Sequence, residues 1–434
     1  MGRFIRTNDA YGGSMHYRWR AAPLRCLLHK KRRVMERADF SRSEPLSKGV
    51  RCPRTGLHLF RVSLRDNPLT KQWRDLASRA LIQNIFYEEE YAISAAIPFG
   101  DGVELLVVTE DASPMSRMLG LWPVRVSRHR WGVPLPVLTG WTHPFAALGV
   151  PLLDRDHAES VLSVLLRAVN LIPGLPARTF MPNVPEQGPF PELLNALRSK
   201  HDLRSCAFNL HERAKLDPQS REKYFESNLS SRTRSKLRQE MRRIERDGRV
   251  EFETISEAGA IADAIEDYIQ LEGRGWKARV GTAVSCSPTE TEFLRGVAKA
   301  LSNQGRIKIH RLKLDGTTIA SSVTYFSASM AWYSKISFDE SQAKNSPGSQ
   351  LVMYATEELL QDPSVMWVDS CAPPGHPLMK KFWSESLSIS NRIIDGSGAD
   401  PFFRPAVELE RLRLKTADIW TAYKGLRRAR LKNA

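Results

Sequence analysis

The sequence predicts a layered α/β fold, and three observations carry that reading. From Arg306 to Ile394 the pattern runs strand, strand, strand, helix, strand, helix, strand. After Pro114, strands and helices also alternate. The chain has 434 residues, enough for two or three domains of roughly 100–200 residues, and its 42 % hydrophobic content supplies an ample core. No run of about 18 apolar residues occurs, so no transmembrane helix is expected. Five scattered cysteines without a CxxC pair argue against a disulfide framework or a zinc site, and suit a reducing cytoplasm.

The net charge of +16 suggests nucleic acid until its distribution is read. Residues 1–65 hold 16 Lys/Arg against 4 Asp/Glu, and residues 404–434 hold 9 against 3. The body between them carries 39 against 41, a net of −2. A nucleic-acid enzyme more often has its basic patch on the folded body. The basic ends fit solvated tails, or peripheral contact with acidic surfaces. Residues 1–58 read as a disordered basic arm, or as sequence upstream of a natural start, with Met35 as the alternative start.

Folded sequence is expected from Leu59. Thr70–Leu81 is helical, with Trp73, Leu76 and Ala80 on one face. Val103–Asp111 and Arg117–Val126 are strands joined by a turn at Ala112–Pro114. A helix fits Asp156–Leu171, then a strand at Arg178–Met181, a helix at Pro191–Lys200 and a strand at Ser205–Leu210. From Ser231 to Gly248 a helix carries a narrow stripe of Leu237, Met241 and Ile244. Its Arg-rich remainder is either a solvated face or a surface for a phosphate-bearing ligand.

In the second half, helices are expected at Ala258–Leu271 and Thr289–Asn303, with too many glycines in Gly273–Val284 for a helix between them. Arg306–Leu314 and Thr317–Phe326 form a hairpin across Asp315-Gly316, which suits a type I′ turn. Met330–Phe338 pairs next, followed by a helix at Pro347–Leu360, a strand at Val365–Ser370, a helix at Pro377–Glu385 and a strand at Leu387–Ile394. Pro405–Lys432 reads as an amphipathic helix with Leu412, Ile419, Tyr423 and Leu426 at helical intervals.

The stretch Asn345-Ser-Pro-Gly-Ser between strand and helix raises a question of function. Ser346 is a good N-cap, Pro347 a good first helical residue, and Gly348 has no side chain. Free N–H groups at that helix mouth, with Lys344 beside them, would make an anion site suited to a pyrophosphate. The strand Met330–Phe338, if it splays from its neighbour, can bind an extended amide such as pantetheine by strand addition.

Four segments in this order, Leu271–Val284, Lys313–Phe326, Lys335–Leu351 and Val368–Trp383, resemble the GNAT acyltransferase superfamily, and more narrowly its CelD/BcsL-type, FemAB-related acetyltransferases. The resemblance implies two tandem GNAT-like domains, each a mixed, mostly antiparallel sheet flanked by helices, followed by a C-terminal helix. It divides the chain into the arm (1–58), a degenerate N-terminal domain (59–215), an acyltransferase domain (216–403) and the basic helix (404–434). It implies acetyl-CoA or another acyl-CoA as donor, without a metal, bound by Lys335, Ile336, Ser337, Lys344, Asn345, Ser346, Gly348, Ser349 and Gln350. Here Asn345-x-x-Gly348-x-Gln350 keeps only the first glycine of the superfamily's phosphate loop. The acceptor would be a small molecule or saccharide bearing an amine or hydroxyl, in envelope or exopolysaccharide metabolism. The alternatives are a FemAB-type transferase whose donor is aminoacyl-tRNA, and a non-catalytic GNAT-like scaffold.

Acyl transfer needs a deprotonated acceptor, a donor to the carbonyl oxygen and a proton for the leaving group. Asp369, at the end of a strand, is expected to orient the amine or act as base. His376 can relay a proton, or simply start a helix ahead of Pro377. Tyr333 can protonate the leaving thiolate, or belong to the core. Glu272, Trp276 and Lys277 are expected to touch substrate, with Glu272 otherwise a surface carboxylate, and Lys277 and Arg279 to meet phosphates. A Cys371/His376 pair lacks an activating constellation.

Overall fold

The computed structural model describes residues 49–65, 69–167, 172–218 and 223–432, with side chains in the last helix to residue 420 and at 423. The strands are β1 Val50–Arg51, β2 His58–Ser63, β3 Glu104–Thr109, β4 Met118–Ser127, β5 Val137–Gly140, β6 Leu152–Leu153, β7 Arg178–Pro185, β8 Arg204–Leu216, β9 Val250–Ile255, β10 Ile307–Leu314, β11 Thr317–Ser327, β12 Met330–Phe338, β13 Trp367–Asp369 and β14 Glu385–Asp395. The helices are α1 Thr70–Ser78, α2 Glu89–Phe99, α3 Ala158–Arg167, α4 Pro189–Lys200, α5 Tyr224–Asn228, α6 Ser231–Asp247, α7 Ala258–Arg274, α8 Trp276–Arg279, α9 Pro288–Ser302, α10 Pro347–Gln361, α11 Pro377–Phe382 and α12 Phe403–Lys432. None of them is long and apolar enough to cross a membrane among the described residues.

One mixed sheet runs through the described chain in the order β1-β2-β3-β4-β5-β7-β14-β8-β13-β12-β11-β10-β9, with β6 on β4. Each half has an antiparallel meander that ends in a parallel pair. In the first half β5 pairs with β7, and in the second β12 pairs with β13. The strand after each parallel pair then crosses over. β8 leaves β7 to pair with β13, while β14 leaves β13 to pair with β7. β8 and β14 pair with each other along their length, from Glu385↔Lys215 to Asp395↔Arg204. The fold is therefore a tandem, mixed α/β arrangement in which the halves exchange strands. The expected boundary at 215/216 falls inside β8.

The hairpin expected at Asp315-Gly316 has φ of +47° and +76° at its two residues, as a type I′ turn requires. Several boundaries move. Val50–Arg51 pairs with His58–Leu59, so the sheet begins inside the segment assigned to the basic arm. Two residues are too few to show alternation. The rest of that arm, residues 1–48, lies outside the described residues, as do 168–171 at the end of the expected Asp156–Leu171 helix. The glycine-rich stretch is helical only in part, over Gly273–Arg274 and Trp276–Arg279. α7 runs through Gly273, where a Cβ would meet Ser285 Oγ at 2.9 Å, so that glycine serves close packing. β5 and β9 are short, and α2 buries most of its first two turns, so neither periodicity announces itself.

Charged side chains also tie the halves together. Glu88, at the cap of α2, accepts from Arg306 and Ser327 of the second half. At the other end Asp400 takes Arg178 in a two-pronged bond of 2.6 and 2.7 Å, both partners being buried. Breaking a buried pair by removing one partner costs about 3–5 kcal/mol. Arg178→Met is therefore expected to destabilise the protein by about that amount in urea denaturation, with one cooperative transition because β14 belongs to both halves. A loss below about 1 kcal/mol, or two separate transitions, would contradict this.

Candidate active site at the parting of two strands

β12 pairs with β13 only over Met330↔Trp367, Ala331↔Val368 and Trp332↔Asp369. β13 then ends, and Tyr333–Phe338 keeps β11 on one side with no strand on the other among the described residues. The register of β12 on β11 slips between Tyr333 and Lys335, leaving Ser334 as an extra residue. The bulge re-aims the side chains beyond it. Trp332 packs in the core under α7, whereas Tyr333 packs with Trp383 and Val352 on the α10 side. Lys335 returns to the α7 face and Ile336 to the α10 side.

On the α7 face a carboxylate gathers two lysines. Glu272, 1 % exposed, accepts from Lys277 Nζ at 2.7 Å and Tyr268 Oη at 2.9 Å through Oε1, and from the Val284 N–H at 2.8 Å through Oε2. Lys335 Nζ stands 3.7 Å from Oε1. Its ammonium lies 4.5 Å over the Phe145 ring, supplied by the first half. Lys277 also donates to the Ile336 carbonyl at 3.4 Å, on the strand edge that β13 leaves free. Burial pushes the Glu272 carboxyl up, but the charges of Lys335 and Lys277 and the bonds from Lys277 and Val284 outweigh it and hold its pKa at about 2. Burial pulls the Lys335 pKa down to about 8, and Lys277 adds to that, although Glu272 opposes it.

Across the gap, Asp369 is equally buried. It accepts from Arg213 Nη2 at 2.6 Å and from the Cys371 N–H at 2.8 Å. Arg213 comes from the exchanged strand β8 and donates to the Ala147 carbonyl at 3.2 Å. The loop that carries Phe145 and Ala147 thus roofs the gap, held by Tyr91 Oη on the Phe145 carbonyl at 2.6 Å.

The helix mouth differs from the sequence expectation. Ser346 is in the left-handed region and its side chain caps nothing. The Ser349 and Gln350 amides both donate to the Ser346 carbonyl. Pro347 has no N–H, and Gly348 is buried, where a Cβ would meet the Phe338 ring at 3.1 Å. Gln350 Nε2 donates to the Leu237 carbonyl of α6 at 2.9 Å. Asn345 is buried and donates to Gln342 at 3.1 Å. The residues expected to present open amides to a diphosphate are therefore packed into the body, and only Lys344 of that group is exposed. α6 and Phe338 thus pack against the start of this helix.

The expected acid–base residues are also engaged. Asp369 accepts from Arg213 through one oxygen and from the Cys371 N–H through the other. His376 caps α11 by accepting from the Met379 N–H, which is the helix-start reading, and burial followed by the Lys277 charge lowers its pKa. Burial, then the Asp369 charge, pushes the Cys371 thiol well up. Tyr333 stands edge-on to Trp383 in the core, and burial raises its phenol. Glu272 is buried rather than on the surface. Arg279 and the Trp276 N–H are held by Glu340, a residue sequence reasoning passed over. Phe145, Tyr268 and Arg213 were also missed. Each reaches the gap through tertiary packing, with no local motif to mark it.

Residues 231–374 match the acetyltransferase (GNAT) domain family. No curated protein matches the sequence. Among solved structures, FemX superposes with a TM-score of 0.52 at 10 % identity, over 76 % of this chain and 96 % of FemX. A conserved protein of unknown function from Bacteroides thetaiotaomicron gives 0.48 at 10 % identity, over 75 % and 96 %. A tandem GNAT protein from the clavulanic acid biosynthesis pathway gives 0.39 at 13 % identity, over 77 % and 98 %. The chain has a GNAT-superfamily, FemAB-related fold.

The carboxyl of Glu272 titrates at about 2 in the folded state against an ordinary 4.5. Between those values the unfolded chain binds more protons, so the stability this group contributes is complete above pH 4.5 and lost as pH falls towards 2. At pH 7, Glu272→Gln removes the nearest counter-charge of the largely buried Lys335 and is expected to cost about 3–5 kcal/mol in urea denaturation. The gap between variant and parent should narrow as the pH is lowered. A difference that is independent of pH would contradict the assignment.

Proposed function

We propose that the protein is an acyltransferase in which the donor carbonyl lies in the gap between β12 and β13, its oxygen toward the Lys335 ammonium. The observation that carries this reading is a desolvated cation beside an unpaired strand edge, within the region that matches the GNAT domain family. An extended, amide-bearing arm adds to the edge Tyr333–Phe338, exchanging with Lys277 at the Ile336 carbonyl. The donor is a CoA-type thioester carrying an acetyl or other acyl group, and the acceptor is an amine or a hydroxyl.

An acceptor nitrogen or oxygen forms the new bond to the carbonyl carbon, and the electron pair moves to the oxygen. Lys335 stabilises that developing oxyanion, and a fixed cation in a poorly hydrated site does so strongly. Collapse breaks the carbon–sulfur bond and releases the thiolate, which takes up the proton the acceptor lost. Glu272 is a positioning residue that holds Lys335 and Lys277. Its pKa of about 2, held down by Lys335 and Lys277, makes it a weak base. Since Asp369 and His376 are engaged elsewhere, positioning supplies much of the rate.

The closed mouth of α10 favours a second reading of the donor. An aminoacyl ester of tRNA presents the same carbonyl without needing a diphosphate seat at Gly348. The two donors separate by experiment. Acetyl-CoA at 100 times its Kd should stabilise the fold by about 2.7 kcal/mol, seen as a rise in melting temperature. If only charged tRNA binds, and does so with steep salt dependence, the thioester reading fails.

For either donor, Lys335→Met is expected to lower kcat by about 10²–10³ with the donor still bound. Because Lys335 loses its proton near pH 8, turnover should fall above that pH in the parent, whereas Lys335→Arg should keep its rate there. A parent rate that rises through pH 8 with no difference in the Arg variant would contradict the cationic role.

A further inference from the structure

α12 divides into an anchored start and an exposed remainder. Phe403 and Val407 are buried with Val137, Phe180, Phe208 and Ile393. Glu410, fully buried, accepts two bonds of 3.0 Å from Arg130, one of 2.7 Å from Trp131 Nε1, and more from Arg413. These contacts fix the direction in which the helix leaves the body. Beyond them, Leu412, Ile419, Trp420 and Tyr423 are 57, 69, 58 and 54 % exposed. At 100° per residue Leu412, Ile419 and Tyr423 fall within one narrow stripe, with Trp420 at its border and stacked on Tyr423 at 5.8 Å. From Arg411 to Lys432 the helix spans about 33 Å and carries 8 Lys/Arg against 1 Asp/Glu.

We infer that this part of α12 is a docking surface for an anionic lipid bilayer, lying in the headgroup layer with the Leu412–Ile419–Tyr423 stripe inward. Charge decides between the possible occupants. A second copy would bring two segments of net charge +7 together, which repel. A nucleic acid would meet the charge but leave the apolar stripe without use. An anionic bilayer satisfies both, since basic residues are drawn to acidic headgroups while Trp, Tyr, Ile and Leu enter the acyl boundary. Trp and Tyr favour that interface in particular. This surface is separate from the gap between β12 and β13, and the inference does not rest on the proposed reaction.

The test is co-sedimentation of the full chain with vesicles of phosphatidylcholine alone and of phosphatidylcholine with an equal share of phosphatidylglycerol, with sedimentation equilibrium in parallel. The parent is expected to pellet with the anionic vesicles and to remain in solution with the neutral ones. Ile419→Glu combined with Trp420→Glu, at exposed positions, should leave the circular dichroism unchanged and weaken binding at least about tenfold. Binding to neither vesicle would overturn the inference, as would equal binding by parent and double variant. A parent dimer that the double variant dissociates would instead assign the stripe to a second copy.

Discussion

The exchange of β8 and β14 between the two halves is the constraint on which the rest of the structure depends. Pairing β8 with β13 and β14 with β7 makes one sheet of what would otherwise be two. It brings Arg213 on β8 next to Asp369 on β13, and the same Arg213 holds the Ala147 carbonyl of the first half. Phe145 is carried along and places its ring face against the Lys335 ammonium. Without the exchange, neither side of the gap would have its partner. The first half therefore contributes to the site although its own parallel pair, β5 and β7, is short.

Within the gap, opposing electrostatic terms are nearly balanced. Opposite unit charges 3.7 Å apart, the Lys335–Glu272 separation, attract on the order of 4 kcal/mol at an effective dielectric constant of about 20. Desolvating an ion costs several kcal/mol. For Lys335 burial wins, and its pKa is lowered despite the carboxylate. For Glu272, which draws on two lysines and three hydrogen-bond donors, attraction wins. The outcome is a carboxylate locked in its charged form beside an ammonium that titrates near pH 8. A cation poised in this way responds to charge that develops on a neighbouring oxygen, whereas the carboxylate stays ionised throughout.

Local rules in the sequence held where local physics decides the conformation. Asp315-Gly316 supplied two residues that tolerate positive φ, and Met330–Phe338 is rich in strand-favouring Trp, Tyr, Ile and Phe. Pro347, whose ring fixes a helical φ, opens α10. What the same sequence could not show is what lies over that start. Ser346-Pro347-Gly348 looks open as text, but α6 and Phe338 pack against it in three dimensions. Lys335 was legible as part of a ligand-facing strand, yet its side chain matters because the Ser334 bulge turns it toward Glu272, and a bulge leaves no mark in composition. Glu272, read as a surface carboxylate, became a buried one through α7 and its roof.

The most direct measurement is hydrogen exchange on the peptide covering Met330–Phe338, with acetyl-CoA and with aminoacyl-tRNA in separate samples. If the acyl donor lies along the edge that β13 leaves free, one of the two must slow exchange at Tyr333–Phe338 by at least about tenfold, through new backbone hydrogen bonds there. Protection confined to the β5–β7 pair of the first half, or none on β12 with either saturating donor, would contradict it.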